Sequence, residues 1–433
     1  MKIIFNIKKR AVPCVVLLTV LATAAACVNA GTEGDLRFGW WGNPVRNERT
    51  TTVLRMFQEE RDNVFVDEWT VGWADYWGGL ATMAAGGGLP DLIQMDWGFL
   101  EQYVANGFLV DLRPWIDDNG IDLRDVPQSV VELGRIGDGI YAMPIGISAI
   151  CMAYNKTLLD GLGISVSRNI GIEEFKNISR EVYARSGVKA NIAFGDDDAS
   201  NFMEILLRQH GIVMITPEGM GGSPDHYRQF FDLLRLGMDE GWHIRPEDTA
   251  GRQGLPQDPL VFGAQPHLRS WMAFYWSSQL TTLQNAVEDG VTLGLTTMPS
   301  DNPGRSNFSR ASMYLAITTH AVNKDAAASL INFWINNIPA NTVLLSERGM
   351  PVSAAVVEAI YDRFSREDQT AAEYLEFVLA PGNSSTVNPA RPQGSGEIVA
   401  HMTYLAQGVA LGRYTPEQAA RDIFDFGNAV LAR

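Results

Sequence analysis

The sequence of 433 residues predicts an α/β protein of two lobes with a binding crevice between them. Strand patterns at Leu36–Trp41, Val64–Trp69 and Asp91–Met95 alternate with helix patterns at Arg49–Glu60 and Tyr76–Ala85. This β-α-β-α-β order implies parallel strands with right-handed crossovers and helices on both faces of the sheet. Ligands of open α/β sheets bind beyond the carboxyl ends of the strands, which places a crevice there.

The second half of the chain continues the α/β pattern without an internal repeat. Asp325–Asn336 is amphipathic over its whole length, with apolar residues at helical spacing. Pro381–Gly396 is rich in Pro, Gly and polar residues and predicts an exposed loop. The other predicted elements are helices at Ile172–Tyr183, Phe202–His210, Tyr227–Glu240, Ala354–Phe377 and Pro416–Leu431, and strands at Val291–Thr296 and Tyr314–Thr319.

The N-terminus has the pattern of an export signal. Positive residues from Lys2 to Arg10 precede an uncharged stretch, Ala11–Ala26, which is too short for an ordinary membrane span and ends in small residues. Cys27 follows directly, as in the cleavage box of bacterial lipoproteins, although Ala24 stands where Leu is usual. We expect a signal peptide at 1–26, lipidation of Cys27 and a lipid-anchored linker at 27–34. The alternative is a plain signal cut after Ala26 or Ala30.

Removal of the signal changes the charge and the cysteine count. Residues 1–26 contain four positive charges and no negative ones, so a formal net charge of −16 becomes −20. This acidic balance argues against a nucleic-acid binder and against charge-driven attachment to anionic lipid. If Cys27 is acylated, Cys151 has no disulfide partner. We expect an exported protein that works outside the cytoplasmic membrane, in the periplasm or tethered to the membrane's outer face.

Motifs for catalysis, cofactors and metals are mostly absent. No Gly-Lys pair occurs, which excludes a standard P-loop, and the six His residues show no zinc-binding spacing. Gly137–Ala142 predicts a tight turn because Met143 and Pro144 follow where a dinucleotide site needs a helix. Asp196–Asp198 resembles part of a calcium loop but lacks its alternation and central Gly, so a solvated turn is favoured. Whether it binds a cation stays open.

Aromatic residues cluster where the predicted strands end. Sugar rings present apolar C–H faces to aromatic planes and hydroxyl edges to Asp, Asn and Arg, so such clusters favour a carbohydrate site. The alternative is core packing, which is favoured for Trp115, Trp242 and Trp334 and disfavoured for Trp41, Trp97 and Trp276. The strand-end residues are Trp40, Trp41, Trp69, Trp73, Tyr76, Trp77, Asp96 and Trp97.

An ordered series of segments resembles the extracellular solute-binding proteins of ABC importers, family 1, in the sugar-binding, maltose-binding-protein-like branch. The segments are Ala84–Leu92, Gly107–Leu112, Asp138–Pro144 with Ala153–Lys156, Leu315–Ile317 with Ala327–Trp334, and Arg348–Val352. Trp40-Trp41-Gly42 with Arg46 is similar to a subgroup that imports fragments of plant polysaccharides, including uronate-containing ones. Asn307–Ala311 departs from the family, in which this stretch is often Gly-rich.

The resemblance implies a two-lobe periplasmic-binding-protein fold of class II type, with hinge crossings near Pro144, Thr297 and Leu345. One lobe would combine 35–144 with 297–345, and the other 145–296 with 346–433. The protein would be a monomer without cofactor or metal. It would bind a sugar or short oligosaccharide in the cleft between the lobes, deliver it to a membrane permease and perform no chemistry on it.

The expected ligand contacts combine aromatic planes with polar side chains near strand ends. Arg46 could pair with a sugar carboxylate, and Arg310 would supply a ligand contact or a contact between the lobes. Two other classes stay open: a secreted carbohydrate-active enzyme, which needs a carboxylate pair, and a cell-surface adhesion or sensor protein. The full set of expected contacts is Trp41, Asn43, Arg46, Tyr76, Asp96, Trp97, Ser148, Trp271, Trp276, Ser278 and Arg310.

Overall fold

The computed structural model describes residues 35–61, 64–195, 198–249, 258–261, 263, 265–385 and 391–433. The predicted signal peptide, Cys27 and the linker at 27–34 lie outside the described residues. No helix in the described ranges is both long enough and apolar enough to span a bilayer.

Strands and helices alternate along the chain as an α/β protein requires. The strands are β1 Asp35–Trp41, β2 Phe65–Val71, β3 Leu92–Met95, β4 Arg135–Ile136, β5 Gly139–Ile140, β6 Met143–Asn155, β7 Ile215–Thr216, β8 Gly219–Met220, β9 Met272–Trp276, β10 Leu293–Thr296 and β11 Ser309–Ile317. The helices are α1 Pro44–Glu59, α2 Trp73–Ala85, α3 Trp97–Ala105, α4 Arg113–Asp117, α5 Gln128–Val131, α6 Lys156–Leu162, α7 Ile172–Ser186, α8 Asp198–Arg208, α9 Pro224–Asp239, α10 Pro246–Thr249, α11 Leu280–Gln284, α12 Pro303–Ser306, α13 Lys324–Asn336, α14 Ile338–Leu344, α15 Ala354–Ile360, α16 Arg366–Leu379, α17 Ser395–Ala410 and α18 Pro416–Leu431.

The N-terminal strands form the predicted parallel sheet. β1 lies between β2 and β3 and is parallel to both, with Asp35 opposite Phe65 and Phe38 opposite Leu92. Beyond β3, the sheet continues through β11 and β6 to β10. Each of these three strands is antiparallel to its neighbour. The α/β fold class is therefore confirmed, and the carboxyl ends of β1, β2 and β3 share one edge.

Strand β6 joins two parts of the sheet. Its first half, Met143–Ala149, pairs with β11, whereas Ile150–Tyr154 pairs with β9. The strand therefore changes partner at Ala149 and Ile150, whereas the first hinge is predicted near Pro144 at its beginning. A sequence pattern cannot reveal this position, because it depends on where two distant strands end.

The chain after Thr297, near which the second crossing is predicted, first continues along the elements that precede it. After β10, the backbone of Ser300 bonds to Ile170, α12 packs on α8, and Phe308 belongs to the same apolar cluster as α8. The chain joins β3 and the first half of β6 only from Ser309 onward. Near the third predicted crossing, Leu345 has a positive φ of 51°, and Met350 then pairs with Ile147. The number of crossings and the lobe boundaries stay predictions.

Successive side chains of β6 point alternately into two large apolar cores. Ile147, Ala149 and Cys151 face the first core, which also contains Phe38 and Trp334. Ile150 and Met152 point to the opposite face and the second core, which contains Phe175, Phe202 and Trp242. Successive side chains of a strand point to opposite faces, so one continuous strand serves both cores. Trp242 and Trp334 are core residues, as predicted.

Some element boundaries differ from the predictions for local reasons. α1 begins at Pro44, before the predicted Arg49, because the Asn43 side chain accepts a hydrogen bond from the Arg46 amide and caps the helix. α17 occupies the end of the predicted loop at Pro381–Gly396, of which residues 386–390 lie outside the described ranges. The predicted turn at Gly137 joins β4 to β5, and its φ of 56° suits glycine.

The buried His243 should make the stability of the folded protein depend on pH. The Nε2 atom of His243 accepts from the Ile192 amide at 3.0 Å, and its Nδ1 lies 2.6 Å from the Ile244 carbonyl oxygen, so the neutral ring fits both partners. Burial lowers the pKa of His243 to about 4. The unfolded state protonates this ring at a higher pH than the folded state does. The free energy of unfolding therefore has its full value above about pH 6.5 and falls by about 3 kcal/mol as the pH drops towards 4. Urea unfolding across this range measures the loss.

The His243→Gln variant should show a smaller loss over the same range, whatever its stability at pH 7. His267 is exposed and serves as the control, because His267→Gln should keep the wild-type dependence. An equal pH dependence in wild type and His243→Gln would contradict the assignment.

Candidate ligand cleft

Aromatic side chains pack together at the carboxyl ends of β1 and β2. The ring centroid of Trp41 lies 5.0 Å from that of Trp73 and 5.1 Å from that of Tyr76. Trp77 stacks on Phe99 at 3.7 Å. Trp41 is only 6% exposed, whereas Trp73 is 48% exposed. This strand-end cluster therefore presents Trp73 to solvent, with Trp41 directly behind it.

Tyr76 does not have the predicted role of a direct contact. The side chain is fully buried, and its hydroxyl donates to the carbonyl oxygens of Gly39 at 3.0 Å and Gln94 at 2.8 Å. Burial raises the pKa of Tyr76 well above its usual value. Tyr76 therefore supports Trp41 from inside the cluster. Asn43 is exposed, but its side-chain oxygen is engaged in capping α1.

Arg46 is paired within the protein. Its Nε donates to Glu347 Oε1 at 2.8 Å, and both side chains are 12% exposed. Glu347 also pairs with Arg348, whose Nε donates to Gln94 Oε1 at 2.8 Å. The Arg46 charge is thus compensated by a carboxylate of the chain, so the expected pairing with a sugar carboxylate is not supported. Its structural role is to join α1 to the segment after Leu345.

Four of the predicted contacts meet in a second group, which we call the junction cluster: Asp96, Trp97, Trp276 and Arg310, with Arg391. Asp96 and Trp97 follow β3, Trp276 ends β9, and Arg310 lies in β11. The Arg310 guanidinium carbon lies 3.7 Å from the ring centroid of Trp276, and that of Arg391 lies 5.6 Å from the ring of Trp97. The cluster therefore joins the edge of the parallel sheet to the strand that pairs with the second half of β6.

Burial and charge act together in the junction cluster. Burial lowers the pKa of Arg310, and the nearby Arg391 acts in the same direction. Asp96 accepts from the Gly98 amide at 2.8 Å and so caps α3. Burial raises the pKa of Asp96, while the Gly98 hydrogen bond and the Arg310 charge oppose the rise. In the described part of the chain, no carboxylate forms an ion pair with Arg310.

A buried carboxylate holds the neighbouring arginines. Glu204 Oε1 accepts from Arg208 Nε at 2.9 Å, and Glu204 Oε2 accepts from Arg391 Nη2 at 2.8 Å. Burial alone would raise the pKa of Glu204, but the charges of Arg208 and Arg391 outweigh it and lower this pKa to about 2. The guanidinium of Arg208 also lies over the Phe308 ring, 4.0 Å from its centroid.

The two predicted serines lie behind Trp276. Ser148 Oγ is buried, lies 3.2 Å from Ser277 Oγ and accepts from the Ser278 amide at 3.1 Å. Ser148 is also the register partner of Arg310. These bonds hold the turn after β9 against β6, so Ser148 positions Trp276. Ser278 is exposed beside it.

Trp271 is a core residue rather than a ligand contact. It is fully buried, and its ring centroid lies 5.8 Å from that of Phe175 in the second core. A tryptophan just before β9 could face either the core or a cleft, and only the packing of α7 decides between them.

Sequence reasoning missed Glu204, Arg208 and Arg391. The spacing of Glu204 and Arg208 by four residues in the otherwise apolar second half of α8 could have indicated a buried pair. Arg391 lies in the predicted loop and gave no such signal. Asp196 and Asp197 lie outside the described residues, and Asp198 is buried at the start of α8. Across the described ranges, no group of three or more His, Cys, Asp or Glu residues could hold a metal ion.

Comparison with known proteins agrees with this geometry. Residues 57–245 match the family model described as bacterial extracellular solute-binding protein. The chain has the fold of that family. The resemblance predicted from the ordered sequence segments is thereby confirmed, and a family of extracellular proteins agrees with the predicted export.

Solved structures share the solute-binding fold over nearly their whole lengths. A family 1 extracellular solute-binding protein from Alicyclobacillus acidocaldarius is 24% identical with a TM-score of 0.77, covering 92% of this chain and 98% of that one. A periplasmic oligogalacturonide-binding protein from Yersinia enterocolitica is 21% identical with a TM-score of 0.75, covering 92% and 99%. A receptor from Streptomyces glaucescens, solved unliganded and with acarbose, is 17% identical with a TM-score of 0.68, covering 92% and 98%.

Proposed function

We propose that this protein is the substrate-binding component of an ABC importer and captures a sugar or short oligosaccharide for a membrane permease. One observation carries the proposal: Trp97 and Trp276, from the ends of β3 and β9, converge with Asp96 and Arg310. The match to the solute-binding family supports the binding role.

The chemistry of the junction cluster favours a carbohydrate. Indole faces pack against the apolar faces of sugar rings, and carboxylate and guanidinium groups bond to hydroxyls at the ring edges. The strand-end cluster, with Trp41 and the exposed Trp73, offers a further aromatic surface on the same sheet edge. The Yersinia and Streptomyces proteins, which share the fold, bind an oligogalacturonide and acarbose, respectively.

The structure suggests how binding would be coupled to delivery. Arg391 is bonded to Glu204 of α8 and contacts the ring of Trp97, which lies at the end of β3. A ligand held between these parts would favour the closed arrangement of the two lobes, which is a hinge-closure population shift. The closed form would then dock on the permease, and no chemistry would be performed on the ligand.

Export and anchoring complete the proposal. A signal peptide at 1–26 would direct export, and acylation of Cys27 would tether the protein to the outer face of the cytoplasmic membrane through the linker at 27–34. The protein would work as a monomer without a cofactor and would contact the membrane only through its lipid.

A thermal-shift screen tests the sugar assignment. Purified protein is heated with neutral and uronate-containing oligosaccharides, with amino acids, peptides and polyamines as the comparison set. A ligand that binds only the folded state raises stability by RT ln(1 + [L]/Kd), about 2.7 kcal/mol at a hundredfold excess over Kd. Shifts confined to amino acids, peptides or polyamines would refute it.

Two further measurements separate the rival classes. Recovery of the bound saccharide unchanged after long incubation is expected, and its hydrolysis would instead identify a carbohydrate-active enzyme. X-ray scattering should show a more compact particle with the ligand, whereas an adhesion or sensor protein would show little closure.

A further inference from the structure

We propose that the ligand carries a carboxylate and that Arg310 binds it, with Arg391 as a second donor. This inference rests on the proposed function and names the class of sugar: a uronate-containing saccharide. It is carried by Arg310 of the junction cluster, a partly buried arginine with which no described carboxylate forms an ion pair.

The charges around Arg310 do not balance. Three arginines, Arg208, Arg310 and Arg391, face two carboxylates, Asp96 and Glu204. Glu204 is bonded to two of the arginines, one on each oxygen. Asp96 interacts with Arg310 only through space, and its Oδ1 accepts from the Gly98 amide. One positive charge is therefore left for a ligand.

The orientation of Arg310 suits a carboxylate. Its guanidinium lies over the Trp276 ring, and the described residues supply no hydrogen-bond acceptor for it. Stacking occupies the flat face of a guanidinium and leaves the N–H donors at its edge free. Two parallel N–H groups at that edge match the two oxygens of a carboxylate. A sugar ring beside Trp276 would place a carboxylate substituent within reach of them.

The energetics favour an anionic partner over solvent. Burial lowers the pKa of Arg310, which means that the surroundings disfavour its charged form in the unliganded protein. A carboxylate at the guanidinium edge would offset this cost, because charge-assisted hydrogen bonds are stronger where water is excluded. The side chain remains partly accessible, so a ligand can reach it.

Arg391 is placed to contribute a second donor, because its charge lies close enough to act on Arg310. Only its Nη2 is bonded to Glu204, its side chain is 24% exposed, and its guanidinium lies near the Trp97 ring. Arg46 offers the contrast, since Glu347 already neutralises it.

Three matched ligands test the inference on the unaltered protein by calorimetry: digalacturonate, its methyl ester and the corresponding neutral digalactoside. Digalacturonate is expected to bind about tenfold or more tightly than the ester and the neutral sugar, since charge-assisted hydrogen bonds contribute at least that much. This comparison does not depend on the folding of any variant.

Substitutions then test whether Arg310 causes the preference for the acidic ligand. Arg310→Gln should lower the affinity for digalacturonate by about tenfold or more and that for the neutral sugar much less, so that the preference for the acidic ligand is lost. The affinity of Arg310→Lys for digalacturonate should lie between those of the wild type and Arg310→Gln. Lysine keeps the positive charge but lacks the two parallel N–H donors of the guanidinium group. Arg46→Gln is the matched control and should leave the acid-to-neutral ratio unchanged.

The outcomes are distinguishable. Equal binding of all three ligands, or an acid preference that survives in Arg310→Gln, would overturn this inference and leave the sugar-binding function standing. If no saccharide binds in the thermal-shift screen or by calorimetry, the proposed function fails and this inference fails with it.

Discussion

Replacing Trp276 with alanine is expected to lower the affinity for the saccharide about 100-fold. The ring packs against Arg310 at 3.7 Å and edge-on to Phe308 at 5.8 Å, so its removal takes away an aromatic face and the support of the guanidinium. Truncation of a central tryptophan at a binding site typically costs about 2–4 kcal/mol, which corresponds to that loss. Calorimetry with the saccharide that gives the largest thermal shift measures the effect.

Trp115→Ala provides the matched control. Trp115 is half-buried on α4, and its indole N–H donates to Asp325 Oδ1 at 2.8 Å, away from the junction cluster. Its replacement should affect stability and leave the affinity within experimental error. Trp276→Phe should retain part of the binding, because an aromatic face remains. An affinity in Trp276→Ala equal to that of wild type would remove the junction cluster from the site.

Gly146→Ala is expected to destabilise the protein by about 3 kcal/mol or more, at or above the upper end of typical overpacking costs. A Cβ atom at this position of β6 would lie 2.0 Å from the carbonyl oxygen of Arg348 and 3.2 Å from the Cα of Gly349. Both contacts are backbone atoms, which cannot rotate away as a side chain can. The adjacent Ile147 pairs with Met350, so the two segments cannot separate without losing backbone hydrogen bonds. Urea unfolding measures the change.

Gly161→Ala is the control for this substitution. Gly161 lies in α6, and a Cβ atom there would have no neighbour within 4 Å. Alanine favours a helix over glycine by about 1 kcal/mol, so this variant should equal or exceed the wild type in stability. Wild-type stability in Gly146→Ala would show that the segment at Arg348 can move away from β6.

The structure brings some of the predicted site residues together and buries others, and both results have a common cause. Trp97 and Trp276 stand beside Asp, Gly or Ser in apparent turns, which indicated that they leave the core. Tyr76 and Trp271 have similar neighbours in sequence, yet both are fully buried. The difference lies in packing from α7 and from the strand-end cluster, which local patterns do not contain.

The charged residues also depend on distant contacts that local sequence patterns do not contain. Arg46 was a reasonable partner for a sugar carboxylate until the fold brought Glu347 to it from 301 positions away. Arg391 lies in a segment predicted as a loop, and it joins the site through Glu204, 187 positions away. Whether an arginine is paired or free depends on such distant contacts.

The sequence by itself determined the alternation of strands and helices, the parallel sheet, the turn at Gly137 and the edge at which aromatic residues collect. These features follow from periodicity and turn chemistry, which act over a few residues. The tertiary structure alone decided where β6 changes partner, which aromatic rings are buried and that, among the described residues, Arg46 has an ion-pair partner whereas Arg310 has none. Those outcomes depend on pairs of residues far apart in the chain, where burial and Coulomb interaction act through space.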